Sequence, residues 1–252
     1  MSITQNKARA KSDYDEVYEA GRKAEYDAFW DVFQDYGNRK QYNFAFRGGN
    51  FTDKTFYPKY DIIPKGDATQ IFYNFSFGEP FSLTQRLKEC GVKLDTSKAE
   101  LLVGAFSQSP MFTEIPTIDL RGLTNRSSDR IGSLFQSCTA LVTIEKLITE
   151  EDIKMNGNLF QYDANLENII VEGTIGQNGF DIHWSTKLSK ASIQSILGAL
   201  AVHPTVANPT ITLPKAAVDK AYETSPGAND GSGSLEWAVA CEERSAWTKA
   251  LA

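Results

Sequence analysis

The sequence predicts an α/β fold: a short solenoid with an amphipathic helix before it and a small helical cap behind it. Three observations carry this reading. An eleven-residue phrase recurs three times through the middle of the chain. Residues 13–36 carry an apolar stripe at helical spacing. From residue 187 onward the apolar pattern turns helical again, with recognisable start and stop residues.

The repeat aligns on Phe106, Phe135 and Phe160, each preceded by an apolar residue. Six residues beyond each anchor stand Phe112, Leu141 and Leu166, and nine beyond stand Ile115, Ile144 and Ile169. The anchors lie 29 and 25 residues apart. Periods in the twenties with Leu or Ile at fixed offsets belong to leucine-rich solenoids. One such unit cannot bury its own apolar edge, so units stack side by side. Residues 41–186 are assigned to this solenoid, with the three anchor phenylalanines in its core. The segments around Phe46 and Phe72 are degenerate earlier turns, although their internal offsets match poorly.

At the N-terminus, Ser12 is placed to cap a helix over residues 13–36, with Asp15 at its third position. Tyr14, Val17, Gly21, Ala24, Ala28 and Val32 form its stripe, widened by Tyr18, Phe29, Phe33 and Tyr36. Gly37 followed by Asn38 stops it. The stripe needs a partner, which is either the rest of the same chain or a short bundle with other chains. Tyr14, Val17, Tyr18, Gly21, Ala24, Ala28, Phe29 and Val32 are the expected attachment or oligomer surface of residues 1–40.

Residues 41–85 are crowded with aromatics. Alternation over Tyr42–Phe46 and Tyr73–Phe77 predicts two short strands, punctuated by Gly48-Gly49, Pro58, Pro64 and Gly66. At the other end, residues 187–252 read as a helical cap. Ser189 caps a helix bearing Ile193, Ile196, Leu197 and Leu200. A strand covers Thr210–Leu213, and Pro214 opens a helix from Lys215 to Tyr222. A polar, glycine-rich loop spans 224–234, a last helix covers Leu235–Glu243 with Trp237 inward, and Trp247 falls in the tail.

The chain has 252 residues and a mass of 28.0 kDa, with 41% apolar, 23% charged and 12% aromatic residues. That is ordinary globular composition. Its 26 basic and 32 acidic residues leave a net charge of −6. This argues against nonspecific nucleic-acid binding and against docking on anionic membranes. There is no membrane-length apolar run, and the polar Met1–Ser12 stretch has no secretory-signal pattern. Cys90, Cys138 and Cys241 have no paired or metal-ligand spacing and are expected to be reduced thiols.

Chemistry is sparse. His183 and His203 are the only histidines and lack partners at ligand spacing. No metalloprotease, nucleophile-elbow or phosphate-loop motif occurs. Glu150-Glu151-Asp152 reads as a solvated face. Asp61 and Asp67, near the aromatics, are not singled out for glycan hydrolysis. Asn229-Asp230-Gly231-Ser232 lacks a full acidic calcium set. No catalytic, cofactor or metal residues are therefore expected, and the chain is read as a non-enzyme. Tyr57, Tyr60, Tyr73 and Tyr162 are candidate ligand contacts, because exposed tyrosines offer rigid area with a polar tip.

The phrase Leu-Phe-Gln-Ser-Cys-Thr-Ala-Leu-Val-Thr-Ile at 134–144 resembles the BspA-like leucine-rich repeats. Only this unit keeps the Cys; Ser109 and Asp163 replace it in the others. Lys11–Asn38, containing Tyr-Asp-Ala-Phe-Trp-Asp at 26–31, is similar to the N-terminal segment of structural proteins of phages and prophages of Gram-positive gut bacteria. Thr210–Trp247, with Thr-Leu-Pro-Lys-Ala-Ala-Val-Asp-Lys-Ala and Gly-Ala-Asn-Asp-Gly-Ser, is similar to the C-terminal end of the same group. The resemblance implies a virion component of tail, baseplate or fibre, made in the host cytoplasm. Other virion proteins, sister chains (a trimer for a fibre) and a host cell-surface polymer would be its partners. It implies no catalytic residue and no cofactor. A capsid head fibre or decoration protein, and a bacterial surface adhesin with similar repeats, are the alternatives.

Overall fold

The computed structural model describes residues 46, 50–51, 56–124, 127, 130–155, 157–222, 241–242 and 244–252. Its architecture is mixed α/β, with a curled parallel sheet and three helices among the described residues. Strands β1 (Asn50–Phe51) and β2 (Ser76–Phe77) pair with each other. The main sheet contains β3 (Phe81–Ser82), β4 (Phe112–Ile115), β5 (Ile118–Asp119), β6 (Thr143–Thr149) and β7 (Asn168–Gly173). Helix α1 (Leu83–Cys90) follows β3, and α2 (Lys190–Ala199) follows β7. Then come β8 (Thr210–Leu213), α3 (Lys215–Ala221) and β9 (Thr248–Leu251). Every strand pairing among the described residues is parallel.

Equivalent residues of the repeated phrase face one another across this sheet. Ile115 pairs with Ile144, and Ile144 with Ile169, while Phe81 pairs with Phe112. The anchor phenylalanines form a column of rings. Phe46, Phe72, Phe106, Phe135 and Phe160 lie face to face at centroid distances of 5.0, 5.3, 5.7 and 5.5 Å. Phe180 continues the column at 5.6 Å in a tilted arrangement. All six rings are buried. The expectation for Phe106, Phe135 and Phe160 is met, and Phe46 and Phe72 occupy earlier places in the same series.

The backbone beside each ring repeats too. Left-handed residues stand two positions before the ring (Gln70, Gly104, Ser133) and two after it (Asn74, Gln108, Ser137, Tyr162), with φ between 51° and 71°. A left-handed non-glycine residue costs about 1–2 kcal/mol. Hydrogen bonds to the next segment hold the conformation. The amides of Gln70, Asn74, Gln108 and Ser137 donate to Val103, Ser107, Gln136 and Gln161 carbonyls at 2.7–2.9 Å. The ring residues do the same: Phe72, Phe106 and Phe135 donate to Ala105, Leu134 and Leu159.

The parallel sheet does not end on bare backbone. Helix α2 lies along β7 where a further strand would lie. Ser192 Oγ accepts from the Ile169 amide at 3.0 Å and donates to the Glu167 carbonyl at 2.9 Å. Ser195 Oγ accepts from Val171 at 2.8 Å and donates to its carbonyl. Two serines one helical turn apart thus satisfy groups that an edge strand would expose. The helix itself starts where expected, with Ser189 Oγ accepting from Ser192 N.

Several elements differ from the sequence reading. Residues 71–74 form a turn, and only Ser76–Phe77 is extended, because Gln70 and Asn74 are left-handed. Of the strand expected over Tyr42–Phe46, only Phe46 is described, in a turn. Helix α1 had no counterpart. Ser82 caps it and left-handed Gly91 closes it. The segment 187–252 is not purely helical, because β9 pairs with β8 from Thr210↔Thr248 to Leu213↔Leu251. Trp247 is buried, its indole N–H donating to the Ala201 carbonyl at 2.9 Å. Strand β8 and helix α3 lie where the sequence placed them. The helix over 13–36, the loop over 224–234 and most of the helix over 235–243 lie outside the described residues; Cys241 and Glu242 are helical.

Phe135→Ala, which empties the middle of the ring column, is expected to cost about 3–5 kcal/mol of stability in urea denaturation. Gly173 ends β7 with φ +92°, and a Cβ there would run into the Thr149 carbonyl. Gly173→Ala is therefore expected to cost at least about 1–3 kcal/mol in the same assay.

Candidate functional site

The four tyrosines singled out by the sequence take different positions. Tyr57 is 43% exposed, but the Arg86 guanidinium lies 4.1 Å over its ring. Arg86 is buried, donates to the Phe56 carbonyl at 2.7 Å and pairs with Glu89. Tyr57 therefore covers a buried cation. Tyr60 packs partly buried against the core. Tyr73 donates its hydroxyl to Gln108 Oε1 at 2.6 Å, tying two adjacent turns together. Tyr162 is the most exposed of the four, at 48%, on left-handed backbone with φ 71°.

Tyr162 does not stand alone. Its ring lies 4.8 Å from that of Trp184 at an angle of 58°. The Trp184 ring in turn lies 4.9 Å from that of His183. Asp181 fixes the histidine: Oδ1 accepts from the His183 amide at 3.1 Å and lies 2.6 Å from Nδ1. The structure brings these four residues together from two consecutive segments of the chain. Sequence reasoning found Tyr162 and missed the other three. Trp184 lies on an irregular stretch with no period to reveal its direction, and the carboxylate that orients His183 is only two residues away, outside any metal-ligand spacing.

In the turns of Phe135 and Phe160 the Gln136 and Gln161 side chains join, Nε2 to Oε1, at 2.5 Å. None of Tyr162 Oη, Trp184 Nε1, His183 Nε2 and Asp181 Oδ2 is hydrogen-bonded among the described residues. The contrast with Tyr73 and with Asp119, both of whose carboxylate oxygens are held by Arg121, is one of chemistry left available.

Directly beneath Tyr162 lies Asp163, fully buried. It occupies the place that Ser109 and Cys138 hold in the preceding turns, three residues past the ring. Two of these side chains accept an amide from the previous turn: Phe75 N to Ser109 Oγ at 3.0 Å, and Cys138 N to Asp163 Oδ1 at 2.9 Å. Ser109 Oγ and Cys138 Sγ also donate to the Phe72 and Phe106 carbonyls. Asp163 Oδ2 is buried without a hydrogen-bond partner among the described residues. Burial pushes this carboxyl well above the usual carboxylate range, opposed only in part by the Cys138 amide. A proton on Oδ2 restores the donor that Ser and Cys supply elsewhere. The buried Cys138 thiol is likewise pushed up by burial and by Asp163.

Other sites offer less. Asp61 accepts the Lys93 amide at 3.0 Å, joining two segments, and Asp67 accepts the Thr69 amide at 2.8 Å within a local turn. A cleft of about 580 Å³ at the start of α2 is rimmed by Glu167, Lys187, Lys190 and Lys220. Two of its ammonium groups are engaged: Lys187 with Asn165 Oδ1 at 2.6 Å, and Lys190 over the Tyr222 ring at 5.2 Å. The three cysteines are free thiols, as expected. Among the described residues no cluster of His, Cys, Asp or Glu fits a metal ion, and no helix is long and apolar enough to cross a membrane. Tyr14, Val17, Tyr18, Gly21, Ala24, Ala28, Phe29 and Val32 lie outside the described residues.

The raised Asp163 value sets a sign for pH dependence. The folded chain holds this proton to higher pH than the unfolded chain, whose carboxyl titrates near about 3.9. The stability it contributes is complete below about pH 4 and is lost as pH rises through the folded value. Urea denaturation across pH 4–8 is expected to show wild type losing stability relative to Asp163→Asn as pH rises; a constant difference would rule out this titration. Compared with protein-family models, curated proteins and solved structures, the chain matches none of them.

Proposed function

We propose that this chain is a non-enzymatic structural protein of a phage particle, a component of its tail, baseplate or fibre. On this reading its parallel turns are a leucine-rich-repeat solenoid used for assembly and for adhesion to a host-surface polymer. The observation that carries the reading is the column of stacked phenylalanines, from Phe46 to Phe180, with an exposed aromatic group projecting beside its last rings. A stack of this kind is a stiff scaffold on which surface residues vary while the core stays fixed. The phage-like phrases at 11–38 and 210–247, and the BspA-like phrase at 134–144, support the assignment to a virion.

Adhesion follows from number. A host polymer repeats its unit, and a particle repeats its protein. Contacts weak in one copy become strong together when several copies engage at once. Residues 1–40, with their apolar stripe, attach the chain to the particle or to sister chains, and three chains form the unit of a fibre. No cofactor enters this function.

The mass of the purified protein in solution tests the assembly half. Full-length protein is expected to be a trimer, and protein lacking residues 1–40 a monomer. Antibody against the chain is expected to decorate the tail end of purified particles. A monomeric full-length chain together with unlabelled particles would overturn the proposal.

A further inference from the structure

We propose that Tyr162, Trp184, His183 and Asp181 form a binding site for one pyranose ring of a neutral, β-linked polysaccharide of gluco configuration. The inference deepens the adhesion reading and rests on it for its biological setting.

The argument starts from what the protein leaves unpaired. Tyr162 is a large side chain on left-handed backbone, where the equivalent positions carry Asn74, Gln108 and Ser137. A bulky residue in that conformation is disfavoured, and an exposed one gains no core contact in return. Its ring and that of Trp184 touch at 58° and together form one aromatic surface. On these residues Tyr162 Oη, Trp184 Nε1, His183 Nε2 and Asp181 Oδ2 have no hydrogen bonds among the described residues. Asp181 Oδ1 already engages Nδ1 of the imidazole.

This set matches the chemistry of a sugar. A pyranose with equatorial hydroxyls has flat faces of C–H groups and a rim of hydroxyls that both donate and accept. Its face lies against an aromatic plane, where apolar area is buried. Its rim needs fixed acceptors and donors at the edge of that plane, the pattern of few, convergent polar groups on an aromatic floor. Asp181 Oδ2 accepts, Trp184 Nε1 and Tyr162 Oη donate, and His183 Nε2 does either according to its tautomer. A β-linked gluco chain presents the same flat face at every residue, so neighbouring units continue over the surface without clashing.

Calorimetric titration of the full-length protein with cellotetraose and with chitotetraose tests the assignment. Saturable binding of at least one is expected, with affinity reduced about tenfold or more in Tyr162→Ser and in Trp184→Ala. Tyr162→Ser is the safer variant for folding, since Ser137 holds the equivalent left-handed position. An unchanged unfolding midpoint ties its loss of affinity to the site. Tyr57→Ala, at the other exposed tyrosine among the described residues, is expected to bind as wild type does. Absence of saturable binding to either sugar, or binding that survives both site substitutions, would overturn the site. Antibody labelling of particles separates this from the wider reading. Labelled particles with no sugar binding remove the sugar site alone, whereas sugar binding with unlabelled particles leaves the site and removes the virion.

Discussion

Ring-on-ring contact along the phenylalanine column is the constraint to which everything else in this chain conforms. Hydrogen-bonded parallel strands lie about 4.7–4.9 Å apart. Aromatic rings prefer offset stacking at slightly larger centroid separations. One Phe per turn, offset a little from its neighbour, reconciles the two distances, and the observed 5.0–5.7 Å spacings are that compromise. To place a ring at this point the backbone must reverse on either side of it. The left-handed residues two before and two after are the result. The position three beyond the ring is then inward-facing but next to backbone amides. In the three turns anchored by Phe106, Phe135 and Phe160 it takes a small or polar buried side chain, Ser109, Cys138 or Asp163, whereas the turn of Phe72 carries Phe75 there. Apparent irregularities of sequence at these places are different answers to one geometric question.

What could be read from the sequence follows the same logic. Phe, Leu and Ile at fixed offsets reveal stacked turns because burial fixes their chemistry at every repeat. Ser189, Pro214 and the alternation of Thr210–Leu213 mark the C-terminal elements because local rules govern caps and short strands. Features set by distant partners were hidden. Thr248–Leu251 becomes a strand only because Thr210–Leu213 lies alongside it. Tyr73–Phe77 alternates like a strand, yet left-handed Gln70 and Asn74 bend the chain there, and neither is a glycine that would have warned of it. Helix α1 did carry signals, with Ser82 three residues before Gln85 and Gly91 after its end, but eight residues are too few for a period to stand out. Of the aromatic group, Tyr162 was legible as a type of residue, while Trp184, His183 and Asp181 joined it only through the winding of the chain.

The aromatic group depends on the column beneath it. Tyr162 follows a column ring by two residues and Trp184 follows the last by four, so both are held by the most rigid part of the molecule rather than by a free loop. Asp163, between the core and Tyr162, accepts the Cys138 amide with its side chain and the Ser185 hydroxyl with its carbonyl. It joins the turn before the site to the turn that carries Trp184. A surface built this way is preorganised: its side chains do not have to be gathered when a ligand arrives, which lowers the entropy cost of binding.

The serine seam between β7 and α2 bears on how such a chain can change length over evolutionary time. Ser192 and Ser195 fit the exposed backbone of one particular strand, and their spacing along a helix gives them no means of following the sheet if it grows past β7. A duplicated or deleted turn upstream of Asn168 leaves this seam intact, because the last strand still presents the same groups to the same hydroxyls. The identical event downstream separates the helix from its strand and uncovers the edge. Gain and loss of repeats are therefore channelled to one side of the molecule. A change in the number of turns upstream leaves the contacts of the seam and of Trp247 as they are.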